Sequence, residues 1–225
     1  MCTSAVFDLD GTLIDSLGIW DQVESAWVSQ RGLSPWPEMQ RELSVRGYLD
    51  CASICISHFG LNPAVDTPGK VSEEWTVIAR QAYSDPSRIP LRQGTLSFLQ
   101  RLKKLNVKIG IATSNWRELA EIALHVHGLD EFFEVLVTSD EVEHSKPAPD
   151  VYLSVAKKLN SIDLSKVIVF EDSIEAALGA KDAGMKIVGV YDPHRGGAAA
   201  WPTFRSVADW TVQNSFDEID PEKLF

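Results

Sequence analysis

Five short apolar runs fix most of what this chain can become. They are Ala5–Leu9, Val107–Thr113, Val135–Thr138, Val167–Glu171 and Lys186–Tyr191. They are mostly β-branched or aliphatic and lack a strict polar–apolar alternation. Such runs are strands covered on both faces, as in a parallel sheet enclosed by helices. Between them the period changes to that of a helix. Leu119, Ile122, Ala123 and Val126 recur at i, i+3, i+4 and i+7. Asn115 is a candidate N-cap for that helix, with Glu118 three residues on and Gly128 just past its end. Val151, Val155 and Leu159 mark a second helix, entered through Pro147 and Pro149. Ile174, Ala177 and Leu178 mark a third, closed by Gly184. Strands alternating with helices in this way predict an α/β fold, a doubly wound parallel sheet of Rossmann-like type.

One segment breaks the alternation. Almost 100 residues separate the first run from the second, and most of them read as helix: Trp20–Gln30, Glu38–Arg46, Leu49–His58, Ser72–Tyr83 and Thr95–Leu105. A crossover between parallel strands needs only one helix. Residues 17–85 are therefore expected to form an inserted all-helical cap domain. The core domain would be residues 1–16 plus 86–225, with Pro86 and Pro90 in the return linker. Open parallel sheets bind ligands beyond the carboxyl ends of their strands, so an insertion after the first strand lies over that edge as a lid.

Composition narrows the function classes. The 225 residues carry 21 Lys and Arg against 32 Asp and Glu, a formal net charge of -11. That excludes the basic face a nucleic-acid binder needs. The longest stretch free of charged residues, Cys51–Val65, contains Ser, His, Gly, Asn and Pro and is too short and polar to span a membrane. No signal peptide is expected, because the first residues lack a basic start and Asp8 and Asp10 interrupt the apolar run. Three cysteines, Cys2, Cys51 and Cys55, show no framework spacing and point to a reducing, cytoplasmic setting. Cys51 and Cys55 are expected to be small buried residues.

The chemistry gathers at the strand ends. The first strand runs into Phe7-Asp8-Leu9-Asp10-Gly11-Thr12 and the second into Thr113-Ser114-Asn115. Ser145-Lys146-Pro147 follows the third, and the fourth ends in Phe170-Glu171-Asp172-Ser173. Four carboxylates, one lysine and several hydroxyls thus reach one edge of the sheet. Buried acids in that number need positive charge. Mg2+ suits them, since it takes a few carboxylates together with water and substrate oxygens. The set fits phosphoryl transfer. One carboxylate can attack phosphorus, and a metal and a lysine offset the negative charge. A second acid can protonate the leaving oxygen and then deprotonate water.

The pattern FDLDGTLIDS, then TSN, then KPAPD, then FEDS before a helix ending in AGM resembles the haloacid dehalogenase (HAD) superfamily of phosphohydrolases. It is most similar to the β-phosphoglucomutase-like and sugar-phosphatase members, which carry a helical cap. The resemblance implies that Asp8 is the nucleophile and a metal ligand. It implies that Asp10 is the general acid and base, with its backbone carbonyl on the metal. Gly11 and Thr12 would shape the loop, Thr12 on the substrate side. Thr113 would hold the phosphoryl group, helped by Ser114 and Asn115. Lys146 would neutralise charge on nucleophile and phosphate. Asp172 would be a metal ligand, and Glu171 a ligand or the partner of one.

The same resemblance implies a Mg2+-dependent phosphatase that acts through an aspartyl-phosphate. Its substrate would be a small phosphorylated metabolite, such as a sugar or polyol phosphate, and the chain would work as a monomer. The alternative is a β-phosphoglucomutase-type transfer. Mutase relatives carry a histidine in the first cap helix and an arginine in the second helical stretch. Here Trp20 stands about where the histidine belongs, and Tyr48-Leu49-Asp50 where the arginine belongs. A protein that only binds would lack a catalytic group, and none is missing. Dehalogenation fits poorly, because Asp10 and Asp172 are both kept.

Other residues carry blander expectations. Trp20 and Trp27 share a helix face and are expected in core packing. His125 and His127 point to different sides of their helix, which argues against a joint metal site. Asp15 and Ser16 read as hinge and capping residues, and Asp140 and Glu141 as loop acids. His194-Arg195-Gly196-Gly197 follows the fifth strand near the site edge, and Gly196–Ala200 reads as a loop or a frayed helix start.

Overall fold

Strand β1 (Ser4–Phe7) lies inside a six-stranded parallel sheet in a computed structural model that describes residues 3–43 and 47–225. The other strands are β2 (Lys108–Thr113), β3 (Val135–Thr138), β4 (Val167–Glu171), β5 (Lys186–Val190) and β6 (Trp210–Val212). Their order is β3-β2-β1-β4-β5-β6, and every pairing is parallel. The chain runs outward from β1 through β2 to β3, then returns to β1's other side with β4. The order in which strands are added therefore reverses between β1 and β4, which is where open sheets of this kind leave a crevice. Phe7 is in register with Ile111 on one side and Phe170 on the other, so Asp8 leaves the sheet directly beside Glu171.

The expected α/β architecture is present, with shifted ends. β1 stops at Phe7 rather than Leu9. Asp8 N–H still donates to the Phe170 carbonyl at 2.9 Å, and the chain then folds back on itself, with Gly11 N–H on the Ile14 carbonyl at 2.9 Å. Helix α4 (Pro68–Tyr83) begins four residues earlier than its apolar period suggested. Thr67 caps it by accepting from Lys70 N–H, and Pro68 needs no partner in the first turn. Helices α1 (Leu17–Gln30) and α3 (Tyr48–His58) also begin early. Only Met39–Leu43 of the expected Glu38–Arg46 helix is described as helix α2, and residues 44–46 lie outside the described residues.

Helices α5 (Thr95–Lys104), α6 (Arg117–Val126), α7 (Asp150–Lys158) and α8 (Ile174–Asp182) occupy the expected crossovers. Helix α9 (Gly197–Val207) and β6 are additions. Of the two readings of Gly196–Ala200, a loop or a helix start, the structure has the helix start, with Pro202 further inside the helix, and a three-residue strand is too short to show a period.

Alternation along β1 divides the core. Ala5 and Phe7 face one side, where Phe7 stacks on Phe170 at 4.2 Å and Phe98 and Phe216 close the cluster. Val6 faces the other, among Ala112, Val137, Tyr152, Val155 and Ala177. Full burial of one such apolar side chain stabilises by roughly 1.5–3 kcal/mol.

Helices α1, α3 and α4 pack on one another through Val23, Trp27, Ala52, Cys55, Trp75 and Ala79. Arg31 grips Glu74 with two bonds of 2.8 Å and Asp66 with one of 2.9 Å, and the Trp27 indole N–H donates to Glu74 at 2.8 Å. The chain enters and leaves these helices side by side. Ile14 pairs antiparallel with Leu91, Asp15 N–H donates to the Pro90 carbonyl, and Arg92 N–H donates to the Leu13 carbonyl, each at 2.9 Å. No described helix is long and apolar enough to cross a membrane.

Candidate active site

The carboxyl ends of β1 and β4 bring three acids together. Asp8, Glu171 and Asp172 are all buried, and each offers an oxygen within 4.8 Å of the others. Lys146 reaches in from the loop between β3 and α7. Its Nζ donates to Asp8 at 2.6 Å and to Glu171 at 2.9 Å, over the face of the Tyr152 ring. Two glycines make the convergence possible. A Cβ on Gly11, whose φ is +88°, would fall 2.5 Å from an Asp172 oxygen. A Cβ on Gly179 in α8 would fall 1.9 Å from the Pro147 carbonyl, so only glycine lets α8 press against the loop that presents Lys146.

Glu171 is fully engaged. One oxygen accepts from Lys146 and from the Tyr152 hydroxyl at 2.7 Å, and the other from Ser173 N–H at 3.1 Å. Asp172 accepts from Arg195 Nε at 2.9 Å, with the Thr12 hydroxyl 3.4 Å from its other oxygen.

Charge is scarce for so many acids. Burial, reinforced by the charges of Glu171 and Asp172, pushes the Asp8 carboxyl well above the ordinary aspartate range, against the pull of Lys146. Burial also raises Glu171. Burial by itself would lower Lys146, but Asp8 and Glu171 more than offset it and hold the ammonium above its usual value. A cluster of three hard oxygen donors with surplus negative charge fits a divalent cation such as Mg2+.

Asp10 stands two residues from Asp8 in a different environment. Its carboxylate accepts from the Ser16 hydroxyl at 2.6 Å, from Asn115 Nδ2 at 2.8 Å and from the Tyr83 hydroxyl at the end of α4. Burial raises its pKa, and these three donors hold it back. Tyr83 remains a phenol, because burial and the nearby Asp10 charge push it well above the ordinary tyrosine value. Tyr48, from α3, donates to Asn115 Oδ1 at 2.9 Å. The helical segment thus completes the surroundings of Asp10 through Tyr83 and Tyr48.

A cleft of about 120 Å³ opens beside Asp10, between the sheet edge and α1–α4. Trp20, Tyr48 and Trp75 line its wall, with Glu24, Ser114, His194 and Arg195.

Asp8, Lys146, Glu171 and Asp172 meet as the motifs implied, and Asp10, Ser114 and Asn115 border the cleft. Thr12 is buried with its hydroxyl toward Asp172, and Thr113 Oγ1 accepts from Asn115 N–H at 3.0 Å. The capping expectation for Asn115 needs correction. Trp116 stands at the N-cap of α6, and the Asn115 side chain serves Asp10 and Tyr83. Ser173 caps α8 by accepting from Ala176 N–H.

Ser16 stands at the N-cap of α1 as expected, but its hydroxyl makes no cap bond and donates to Asp10 instead. Trp27 is core, whereas its face-mate Trp20 borders the cleft. Glu141 is occupied with Arg117 and Lys158, and His125 and His127 make separate contacts, with Asp130 and the Ile89 carbonyl. Tyr83, Tyr48, Tyr152 and Glu24 escaped sequence reading. The three tyrosines lie on helices whose period explains them as packing, and Glu24 reads as the polar face of α1. Arg195 had a signal, as a lone cation in a glycine-rich turn after a strand.

Comparison with known proteins agrees with this geometry. A family model described as "Haloacid dehalogenase-like hydrolase" matches residues 5–190. Validoxylamine A 7'-phosphate phosphatase of Streptomyces hygroscopicus subsp. limoneus is 30% identical over 87% of this chain and 89% of its own. Hexitol phosphatase B of Escherichia coli (strain K12) is 27% identical over 84% of each. Among solved structures, β-phosphoglucomutase from Clostridium difficile shares the fold with a TM-score of 0.78 and 19% identity, over all of this chain and 96% of that one. With its strand-end acids, its fold and these phosphatase relatives, the chain belongs to the haloacid dehalogenase-like hydrolase family, on its phosphoric monoester hydrolase branch.

Proposed function

We propose that this enzyme is a Mg2+-dependent phosphatase that cleaves small phosphate monoesters, sugar or polyol phosphates among them, through an aspartyl-phosphate on Asp8. The observation that carries the reading is the divergence of two acids in one loop. Asp8 faces Lys146 and two further buried carboxylates, whereas Asp10 faces only uncharged donors beside the cleft. Asp8 and Asp172 would hold the metal with the Asp10 backbone carbonyl, and Glu171 beside them. Bound there, the cation offsets repulsion between the nucleophile and the phosphate.

The chain's own groups do the rest. Asp8 attacks phosphorus while Lys146 holds the nucleophile in place and offsets its charge. Thr113, Ser114 and the neighbouring backbone face the phosphoryl oxygens. Asp10 carries a proton to the leaving oxygen, and its raised pKa suits that task. It then takes a proton from the water that opens the aspartyl-phosphate. The helices of residues 17–85 act as the lid that keeps bulk water out. The enzyme acts as a monomer in the cytoplasm, where Cys51 and Cys55 stay reduced; both are buried and neither forms a disulfide. Trp20 and Tyr48 sit against each other, ring centroids 5.1 Å apart, where a mutase would place its histidine and arginine, which favours hydrolysis over transfer.

The test is release of phosphate from p-nitrophenyl phosphate with Mg2+. Asp8→Asn should lower turnover by about 10³-fold or more, and EDTA should silence the wild type. Wild-type turnover in the variant would remove Asp8 as nucleophile. Full activity in EDTA would remove the metal.

A further inference from the structure

The cleft has a far wall that phosphoryl chemistry does not use. Glu24 of α1 lines it together with Trp20, Tyr48 and Trp75. Trp20 and Tyr48 meet at 5.1 Å and Tyr48 and Trp75 at 6.4 Å, so the rings form one continuous aromatic surface. Within it the Trp75 indole N–H is buried and has no acceptor. The Glu24 carboxylate has no hydrogen-bond or ion-pair partner among the described residues. Its charged neighbour on the same helix is another acid, Asp21. Burial and Asp21 together push Glu24 up to about 8. The other acid on the cleft, Asp10, has three donors of its own, and Arg195 sets its Nε on Asp172.

A lone carboxylate among aromatic faces is a costly arrangement unless the ligand completes it. A neutral hydroxyl completes it in part. A protonated amine completes it fully, by a charge-assisted hydrogen bond to the acid and by attraction to the ring faces. We propose that the Glu24 end of the cleft recognises a protonated amine on the leaving alcohol, so that preferred substrates are phosphate monoesters of amino alcohols or amino sugars. The inference rests on the phosphatase reading and adds a substrate class to it.

The experiment pairs substrates that differ only in that group. ω-Aminoalkyl phosphates are compared with ω-hydroxyalkyl phosphates of equal length, and glucosamine 6-phosphate with glucose 6-phosphate, at pH 7. At one or more lengths the amine should win in kcat/KM by about tenfold or more, mainly through KM. Glu24→Gln should bring that ratio close to one. A hydroxyl partner that does as well at every length, or an amine preference that survives Glu24→Gln, overturns the proposal. Asp8→Asn, which keeps Glu24, is titrated in parallel with aminoalkyl and hydroxyalkyl phosphonates, so binding is read without turnover. Equal affinities there also overturn it. Failure of the wild type on p-nitrophenyl phosphate would instead strike the phosphatase reading, while the phosphonate titration still decides the amine.

Discussion

At the sheet edge, Asp8, Glu171 and Asp172 are met by Lys146 and Arg195. Where the helices close over that edge, Asp10 is met by a serine, a tyrosine and an asparagine, and Glu24 by aromatic rings. The first group is buried and partly offset by two cations of the chain, whereas the second is half-buried and meets no cation among the described residues. The difference assigns them different work. Acids that share a buried cation and still carry surplus negative charge are set to take up a further cation such as a metal. Asp10 and Glu24 have no cation of their own, so burial raises both, with three hydrogen-bond donors restraining Asp10 and none restraining Glu24.

The contrast breaks most sharply at Lys146. Lys146→Met should leave Asp8 and Glu171 without their shared cation. We expect a stability loss of about 3–5 kcal/mol by urea denaturation, the usual cost of stranding a buried charge. Phosphate release should nearly vanish. A variant as stable as wild type would mean that the acids are balanced in some other way.

A smaller effect is expected at Tyr83. Tyr83→Phe removes one of three donors to Asp10 while keeping the ring. Turnover should drop about tenfold, in line with the loss of one charge-assisted hydrogen bond. The drop should fall on kcat more than on KM. A change in KM alone would place Tyr83 in binding rather than beside the proton carrier.

Glu24 gives the smallest effect and a pH signature. Its folded-state pKa is raised, so the folded protein holds a proton that the unfolded chain releases. Stability is therefore lost as pH rises from the ordinary glutamate value of 4.5 to about 8. Glu24→Gln has no such proton. It should melt like the wild type below the lower value. Above the higher one it should be more stable, by on the order of 1–2 kcal/mol after allowance for water at the cleft mouth. Parallel melting curves across that range would show that Glu24 carries no burial cost.

How much of this the sequence disclosed follows from distance along the chain. Asp8 and Asp10 belong to one loop, and Glu171 and Asp172 to one strand end, so strand periodicity was enough to place them at a common edge. Tyr83 lies 73 residues from the Asp10 it bonds, at the end of a helix whose apolar period accounts for it without any site. Glu24 sits three residues before Trp27 and reads as the polar face of α1 until the fold turns it into a cleft. β6 was too short for a period, and α9 was hidden by its two opening glycines and internal proline.

The paired connection at Ile14 and Leu91 has a mechanical consequence. Two single strands leaving a domain separately could twist in any direction. Here they are joined side by side by backbone hydrogen bonds. Such a ribbon flexes easily across its flat face and resists bending edgewise. Were the helices to move against the sheet, such a ribbon would favour a swing about one axis over a free twist. A swing of that kind would bring Tyr83 back to Asp10, and the aromatic wall back to the cleft, along one arc.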